Sequence, residues 1–330
     1  MGIEYVGAGD AFLGELTRVI RTGHSVTRRT DPTRELTGES FTIVESSRRC
    51  IVVPHRNNNV SASIAESLWT LAGRADIAFL EPYLPRARSF SDDGATWRAA
   101  YGPRLRGAFG VDQLDEVRRL LLHDSYTRRA VISLFDPASD YADVNTRDVP
   151  CNNWLHFLRV GDCLDVSIAV RSLDLIWGFS GIDAFLWSLV HELMASWVGL
   201  EVGRQHWFVG SCHVYQTHFG RAEQMLAPVP QPDAPSRNVK YAGNWSSLEQ
   251  DLSAWFGVET ALRSGRELSC QEVERLIPEP LLCALAVTVA AFWDLQYERS
   301  ITERLVWLSG TEFSAAVTQL ASWLTPRLRG

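Results

Sequence analysis

A short run of prolines places the strongest single limit on how this chain can fold. Pro228, Pro230, Pro232 and Pro235 fall within eight residues. Each proline fixes its own φ angle and lacks the backbone N–H that helices and sheets use, so no regular element can cross this stretch. We therefore predict a body in residues 1–226, a proline-rich linker in residues 227–244 and a C-terminal extension in residues 245–330.

The composition is that of an ordinary globular protein, with 46% hydrophobic and 22% charged residues. The net charge of −7 argues against a partner that is a nucleic-acid polymer, but a few clustered arginines would still bind a small anion. The longest apolar run, residues 281–293, is shorter than the roughly 20 residues that cross a bilayer, so we predict no membrane partner.

The six cysteines are scattered, form no CxxC pair and follow no signal-like start, which predicts a reduced, cytoplasmic protein. Cys212, His213 and His218 are close in sequence but lack a second ligand pair at zinc spacing. We predict no metal site.

Hydrophobic periodicity divides the two parts by secondary structure. In the body it predicts helices at 8–20, 60–72, 112–123 and 183–199, strands at 41–44, 130–135, 153–160 and 163–171, a loop at 85–106, and a further helix starting near or after His213. In the extension it predicts helices at 246–263, 269–276, 281–298 and 311–324. Capping-box spacing occurs twice there, at Ser246 with Glu249 and at Ser269 with Glu272. The body is thus α+β and the extension helical.

Cys151 is the residue best suited to act as a nucleophile. It follows Pro150, and Arg128, Arg129 and Arg171 flank it in sequence. A thiolate beside positive charge is a strong nucleophile, although a cysteine taken alone is more often a buried core residue. Arginines suit a phosphate. His213 and Tyr215 would face the same side of an extended segment and could bond sugar hydroxyls. A thiol, several arginines and a His/Tyr pair together would suit a nucleoside monophosphate as ligand.

An ordered set of motifs carries a family resemblance. The set is Arg21-Thr22-Gly23, Glu66-Ser67-Leu68-Trp69, Tyr101-Gly102-Pro103, Arg128-Arg129, Pro150-Cys151, Arg171-Ser172-Leu173-Asp174, Gly178 and His213-Val214-Tyr215. Over roughly residues 8–224 the chain resembles the thymidylate synthase family, which includes the deoxycytidylate and cytidylate hydroxymethylases. The resemblance implies an α+β thymidylate synthase-like fold whose mixed sheet forms a homodimer interface, with the body as catalytic domain.

The resemblance also implies how a pyrimidine nucleoside monophosphate would be held. Arg21, Arg171 and Ser172 would bind its 5′-phosphate. Arg128 and Arg129 would reach the same phosphate from the other subunit of the dimer. His213 and Tyr215 would bond the sugar 3′-hydroxyl.

The remaining implied roles concern catalysis and the co-substrate, 5,10-methylenetetrahydrofolate. Cys151 would add to C6 of the pyrimidine, Glu66 would organise proton transfer, and Tyr101 would lie near the base and cofactor. Asp174 would contact the folate pterin, with Gly178 beside it. Arg48 is either a folate-tail contact or part of an exposed basic pair with Arg49.

Several departures from the family pattern bear on the reaction. An asparagine that contacts the base is expected four residues after Gly178, where Ile182 stands; a shift of one residue would put Asp183 there. A carboxyl group suits cytosine better than uracil, although Asp183 alone would also serve as a helix cap. Asn152 replaces the histidine expected after the nucleophile, and we count it among the catalytic residues.

The walls of the site depart from the family as well. Residues 89–94 replace a tryptophan-rich loop, and the chain lacks the short apolar carboxyl end that seals a synthase site. Hydride transfer to a methylene needs a dry site, whereas hydroxymethylation needs water. We therefore predict hydroxymethylation of CMP or dCMP, with thymidylate synthesis from dUMP as the alternative. The extension would supply a lid, enlarge the dimer interface or only pad the fold.

Overall fold

The computed structural model describes residues 2–28, 31–142, 145–146, 148–227 and 235–328. Pro228, Pro230 and Pro232 of the predicted linker lie outside these residues. The strands are β1 (Ile3–Tyr5), β2 (His24–Arg28), β3 (Asp31–Ile43), β4 (Val131–Ser133), β5 (Asn152–Val160), β6 (Cys163–Val170), β7 (Leu173–Asp174) and β8 (Glu201–Tyr215). The body helices are α1 (Ala8–Thr22), α2 (Val60–Leu71), α3 (Ile77–Leu80), α4 (Tyr101–Arg106), α5 (Gln113–His123), α6 (Pro137–Asp140), α7 (Ala184–Trp197) and α8 (Phe219–Met225). The extension has α9 (Leu248–Arg263), α10 (Cys270–Leu276), α11 (Pro280–Gln296), α12 (Thr302–Trp307) and α13 (Glu312–Leu328). A π-helix, Leu175–Asp183, precedes α7.

One mixed sheet organises the body. Its strands run in the order β1-β3-β8-β6-β5-β4, with β2 paired to β3 and β7 paired to β8. β8 is antiparallel to β3 but parallel to β6 and β7. Alternate residues of β6 are buried, because successive side chains in a strand point to opposite faces. The α+β thymidylate synthase-like fold predicted from the sequence is confirmed.

The two faces of the sheet have different surroundings. Helix α1, the π-helix and α7 pack on one face, where Phe41 stacks on Trp207 at 5.8 Å between ring centroids. On the other face Trp154 and Phe208 remain 36% and 48% exposed, with ring centroids 6.4 Å apart. This second face has no covering layer among the described residues, and it carries these aromatic rings beside polar groups such as His206, which bonds to Asp165.

Most predicted elements are present, and the differences have local causes. The predicted loop 85–106 contains a 3₁₀ turn, Ala87–Phe90, and helix α4. β8 continues through His213, so the next helix begins at Phe219. The capping box predicted for Ser246 with Glu249 is wrong, because a 3₁₀ turn precedes α9 and Asn244 forms the box with Ser247. The box of Ser269 with Glu272 is confirmed.

The extension packs directly on the body. Helix α11 contacts α2, and its residues Leu281–Leu295 are buried. Buried hydrogen bonds join the two parts: Tyr83 of the body donates to Glu259 at 2.6 Å and accepts from Trp293 at 2.9 Å. Within the described ranges, no helix is both long and apolar enough to cross a membrane.

Candidate active site

A cavity of about 820 Å³ lies between the body and the extension. The predicted site residues that line it are Glu66, Tyr101, Cys151, Ser172, Asp174, Gly178, Asp183, His213 and Tyr215. They come from α2, α4, the start of β5, β7, the π-helix and the end of β8. The fold therefore brings together residues separated by up to 149 positions in the chain (66 to 215).

Cys151 lies at the entrance to β5, with Arg171 packed against the preceding residues. The Arg171 backbone N–H donates to the Cys151 carbonyl at 2.9 Å, and its guanidinium donates to the carbonyls of Pro150 and Val149 at 2.8 and 3.0 Å. Nη2 of Arg171 is 3.8 Å from the Cys151 Sγ. Burial raises the pKa of Cys151 to about 11, although the Arg171 charge acts in the opposite direction. The thiol is therefore protonated near neutral pH in the free protein.

A β-bulge directs the side chain of Asn152 into the interior of the protein. Asn152 pairs with Val170 and Trp154 with Ala169, so β5 has one residue more than β6 at this point. A bulge of this kind redirects side chains, and here it buries Asn152 completely while Trp154 stays on the outer face. Asn152 is not among the residues that line the cavity; it lies behind them.

Asn152 joins two residues that do line the cavity. Its amide nitrogen donates to the Tyr101 hydroxyl at 2.6 Å and to Oδ1 of Asp183 at 3.1 Å. Its backbone N–H also donates to the Tyr101 hydroxyl, at 3.1 Å. Oδ1 of Asn152 is buried without a hydrogen-bond partner among the described residues. The three side chains form one polar cluster beside Cys151, which we call the Tyr101–Asn152–Asp183 cluster.

The π-helix explains why Asp183 occupies this position. Residues five apart are neighbours in a π-helix, whereas residues four apart are neighbours in an α-helix. A Cβ added to Gly178 would lie 3.3 Å from Oδ2 of Asp183, five residues on. Ile182 also lines the cavity, but only Asp183 of the two bonds to Asn152. The interpretation of Asp183 as a helix cap is wrong, because its side chain makes no capping bond.

Three carboxyl groups in the cavity have raised pKa values because they are enclosed. Burial raises the pKa of Asp183 to about 6. Burial and the nearby charge of Asp183 raise the pKa of Glu66 to about 8. Burial also raises the pKa of Asp174, whose carboxylate accepts the Ile176 N–H at 2.8 Å and caps the π-helix. With a pKa of about 8, Glu66 keeps its proton at neutral pH.

Only some of the residues predicted to hold the nucleotide lie together at the cavity. The rings of His213 and Tyr215 touch edge to face at 5.2 Å, as expected for alternate positions of a strand. Arg21 is exposed and paired with Glu223 through two bonds of 2.9 and 2.8 Å. Neither Arg21 nor Arg171 is among the cavity-lining residues.

The other predicted arginines lie outside the cavity. Arg128 and Arg129 are exposed directly before β4. Arg48 is 3.7 Å from Glu45 and does not line the cavity. Its neighbour Arg49 is buried against Glu192 and Glu312, so the two are not an exposed basic pair. No group of three or more metal-binding side chains occurs in the described ranges.

Several cavity residues were missed from the sequence. Phe90 and Trp97 line it from the segment predicted to be a loop, and Trp323, Leu324 and Arg327 line it from α13. Arg56 and Arg221 add two more cations. None of these residues belongs to a motif, and the positions of Trp323, Leu324 and Arg327 depend on how the extension folds back on the body. The extension therefore forms part of the cavity wall.

Known proteins that are similar in sequence belong to one family. The sequence profile of a family described as Thymidylate synthase matches residues 10–252. A "Deoxyuridylate hydroxymethyltransferase" of Bacillus phage SP01 is 32% identical over 76% of this chain and 72% of its own length. A protein of the same name from Delftia phage PhiW-14 is 31% identical over 68% of this chain and 65% of its own. A "Thymidylate synthase" of Francisella philomiragia is 23% identical over 57% and 73% respectively.

Proposed function

The chain belongs to the thymidylate synthase family of one-carbon transferases, and we propose that it hydroxymethylates C5 of a pyrimidine nucleoside 5′-monophosphate. The Cys151 sulfur would bond to C6 of the ring. C5 would then take one carbon from the donor, as the bond from that carbon to the donor nitrogen breaks and C5 loses its proton. Water would add to this carbon, supply the hydroxyl oxygen and lose a proton. Loss of the Cys151 sulfur from C6 then releases the 5-hydroxymethyl nucleotide and restores the thiol. No electrons are transferred to or from the folate in this sequence, so it leaves as tetrahydrofolate.

The cavity suits 5,10-methylenetetrahydrofolate as the carbon donor. Its volume of about 820 Å³ lies in the upper part of the range of roughly 300–1,000 Å³ that is typical of small-molecule and cofactor sites. Phe90, Trp97 and Trp177 offer flat faces to ring systems, and the Asp174 carboxyl group lies on the same wall. When bound, this donor supplies one carbon at the oxidation level of formaldehyde. Asp174 and Gly178 would contact its pterin.

Proton transfer would divide between Glu66 and the Tyr101–Asn152–Asp183 cluster. Glu66, protonated near neutral pH because of its burial, would donate to the pyrimidine as the sulfur adds. Asn152, buried behind the cavity wall, would hold the Tyr101 hydroxyl and the Asp183 carboxyl group in position for the attacking water. A polar cluster beside the reacting carbon favours capture by water over hydride transfer, which requires a dry site.

The carboxyl group of Asp183 is the observation that carries our proposal for the base. It is buried in the cavity, with Oδ1 accepting from Asn152. A carboxylate accepts from the exocyclic amine of cytosine, whereas O4 of uracil would meet it as a second acceptor. We therefore propose CMP or dCMP. The second candidate is dUMP, favoured by the names of the phage relatives, and a protonated Asp183 would fit uracil.

We further propose a homodimer built on the uncovered face of the sheet. Trp154 and Phe208 supply an exposed apolar surface there. Arg128 and Arg129 would reach the partner's nucleotide phosphate, together with Arg21, Arg171 and Ser172 of the subunit that binds it. Arg21 would exchange Glu223 for the phosphate. His213 and Tyr215 would bond the sugar.

A product assay tests the proposal. The protein is incubated with methylenetetrahydrofolate and each of CMP, dCMP, UMP and dUMP, and the products are identified by mass. We expect a 5-hydroxymethyl product from a cytidine nucleotide without dihydrofolate. Hydroxymethylation confined to dUMP would select the second candidate. Thymidylate and dihydrofolate from dUMP would overturn hydroxymethylation altogether.

A further inference from the structure

Three arginines from distant parts of the chain line one region of the cavity without forming an ion pair. Arg56 precedes α2, Arg221 lies on α8, and Arg327 lies in the last turn of α13. None of the ion pairs among the described residues includes any of them. Asp174 is the acidic group whose charge acts on Arg56. The charge of Arg221 acts on Arg56, and that of Arg327 acts on Arg221, so the three guanidinium groups form one positively charged group.

Neutral acceptors hold two of these guanidiniums in place. Arg56 is only 4% exposed, and it donates to the Ser180 hydroxyl at 2.6 Å and the Ile176 carbonyl at 2.5 Å. Arg221 donates to the carbonyl of His55 at 2.8 Å and to that of Arg56. Such partners fix the orientation of a guanidinium but do not neutralise its charge.

The arrangement therefore stores electrostatic repulsion. Burial and the Arg221 charge lower the pKa of Arg56 to about 9. Burial and the Arg327 charge likewise lower the pKa of Arg221. A bound anion would relieve this repulsion, and a concave site lined by one sign of charge concentrates ions of the opposite sign.

The third arginine comes from the extension and is held by an aromatic ring. The Arg327 guanidinium lies 5.0 Å from the ring centroid of Trp323, whose Nε1 donates to the Asn58 carbonyl at 3.4 Å. Gln319, one turn earlier, donates to the Val53 carbonyl at 2.8 Å. Helix α13 is thus tied to the segment that carries Arg56.

We propose that Arg56, Arg221 and Arg327 form an anion subsite that binds a carboxylate group of the one-carbon donor. The inference rests on the function proposed above, because a folate carries carboxylates on its glutamate, away from the reacting ring. A nucleotide phosphate has the same charge, but two of its predicted ligands, Arg21 and Arg171, do not line this cavity. Arg327 is exposed and lines the cavity from the extension, so the subsite reaches solvent, as the glutamate end of a folate would when its pterin contacts Asp174.

Binding measurements on matched ligands test the subsite. Tetrahydrofolate and tetrahydropteroate share a ring system, but only the first carries glutamate. Their dissociation constants, and that of dCMP, are measured calorimetrically for the wild type, Arg327→Gln and Arg221→Gln. Arg275→Gln is the control, since Arg275 is also exposed in the last turn of a helix but does not line the cavity.

We expect Arg327→Gln to weaken tetrahydrofolate binding about tenfold, the usual effect of one charge-assisted hydrogen bond, and to leave tetrahydropteroate and dCMP unchanged. A loss confined to dCMP would overturn the carboxylate assignment in favour of a phosphate. Equal affinities of wild type and both variants for every ligand would overturn the subsite. A selective loss for tetrahydrofolate, in a protein that makes no 5-hydroxymethyl nucleotide, would support the subsite while refuting the proposed reaction.

Discussion

The two walls of the cavity are built in different ways. The body wall holds Cys151 and the Tyr101–Asn152–Asp183 cluster, whose side chains bond to one another. The extension wall holds Trp323, Leu324 and Arg327 on one helix, whose Gln319 and Trp323 bond to backbone carbonyls of the body and not to the side chains of the other wall. The difference suggests that the body wall performs the chemistry while the extension wall contributes affinity and enclosure. Substitutions on the two walls should therefore affect different quantities.

The largest effect is expected for the nucleophile of the body wall. Cys151→Ala should lower turnover by about 10⁴-fold or more, because no other cysteine of the described residues lines the cavity to form the proposed bond to C6. Release of tritium from C5 of the nucleotide measures the step directly. Cys163→Ala is the control, since Cys163 does not line the cavity and should keep full activity. Retained tritium release in Cys151→Ala would show that another residue attacks the ring.

The next effect concerns the choice of base. Asp183→Asn should lower the ratio of kcat/KM for cytosine over uracil nucleotides by about 100-fold, because an amide offers O4 of uracil a donor that a carboxylate lacks. Competition between dCMP and dUMP measures this ratio. Ile182→Val, a change at the neighbouring cavity residue, should leave it unaltered. A ratio that changes with Ile182 but not with Asp183 would reverse the assignment.

A smaller effect, on stability, is expected where the extension meets the body. The Glu312 carboxylate accepts the backbone N–H groups of Arg49 and Cys50 at 3.0 and 2.9 Å. Glu312→Gln should lower the free energy of unfolding by about 2 kcal/mol, since it weakens charge-assisted bonds beside a buried arginine. Urea denaturation measures the change. The exposed Glu274→Gln should change it by less than about 0.5 kcal/mol; equal losses in the two variants would argue against this anchor.

The smallest effect is a displacement of the pH profile. The pKa of Glu66 is raised to about 8 by burial and by the Asp183 charge. If Glu66 acts as an acid, kcat/KM falls as the pH rises through this value. Removing the Asp183 charge lowers the Glu66 pKa, so in Asp183→Asn this limb should move to lower pH. Each protein is assayed with its best nucleotide. If the limb stays at the same pH in Asp183→Asn, Glu66 is not the group whose titration causes it.

The sequence predicted the body wall far better than the extension wall. Strand alternation and ordered motifs located Cys151, Glu66, His213 and Tyr215, because each follows from short-range pattern or from the family resemblance. The bulge at Asn152 was not predicted. The π-helix before α7 was not predicted either, because an apolar run in the sequence does not distinguish a π-helix from an α-helix. Only the structure distinguishes Ile182 from Asp183.

The arginine group shows a different limit of sequence analysis. Arg56 and Arg327 are 271 positions apart (327 minus 56), and no periodicity connects them. Their proximity depends on the packing of α11 and α13 against the body, which buried apolar side chains determine. Residues of this kind are found by locating the cavity first and then asking which charges line it.

The wide turn between Gly178 and Asp183 has a consequence for how such enzymes diverge. An alignment column in this segment does not identify a spatial position, because inserting or removing one residue exchanges the side chain that faces the ligand. Specificity could thus change through a length mutation that leaves every flanking residue intact. Directed evolution that samples only substitutions would never visit that route, whereas a library of single-codon deletions across residues 175–183 would.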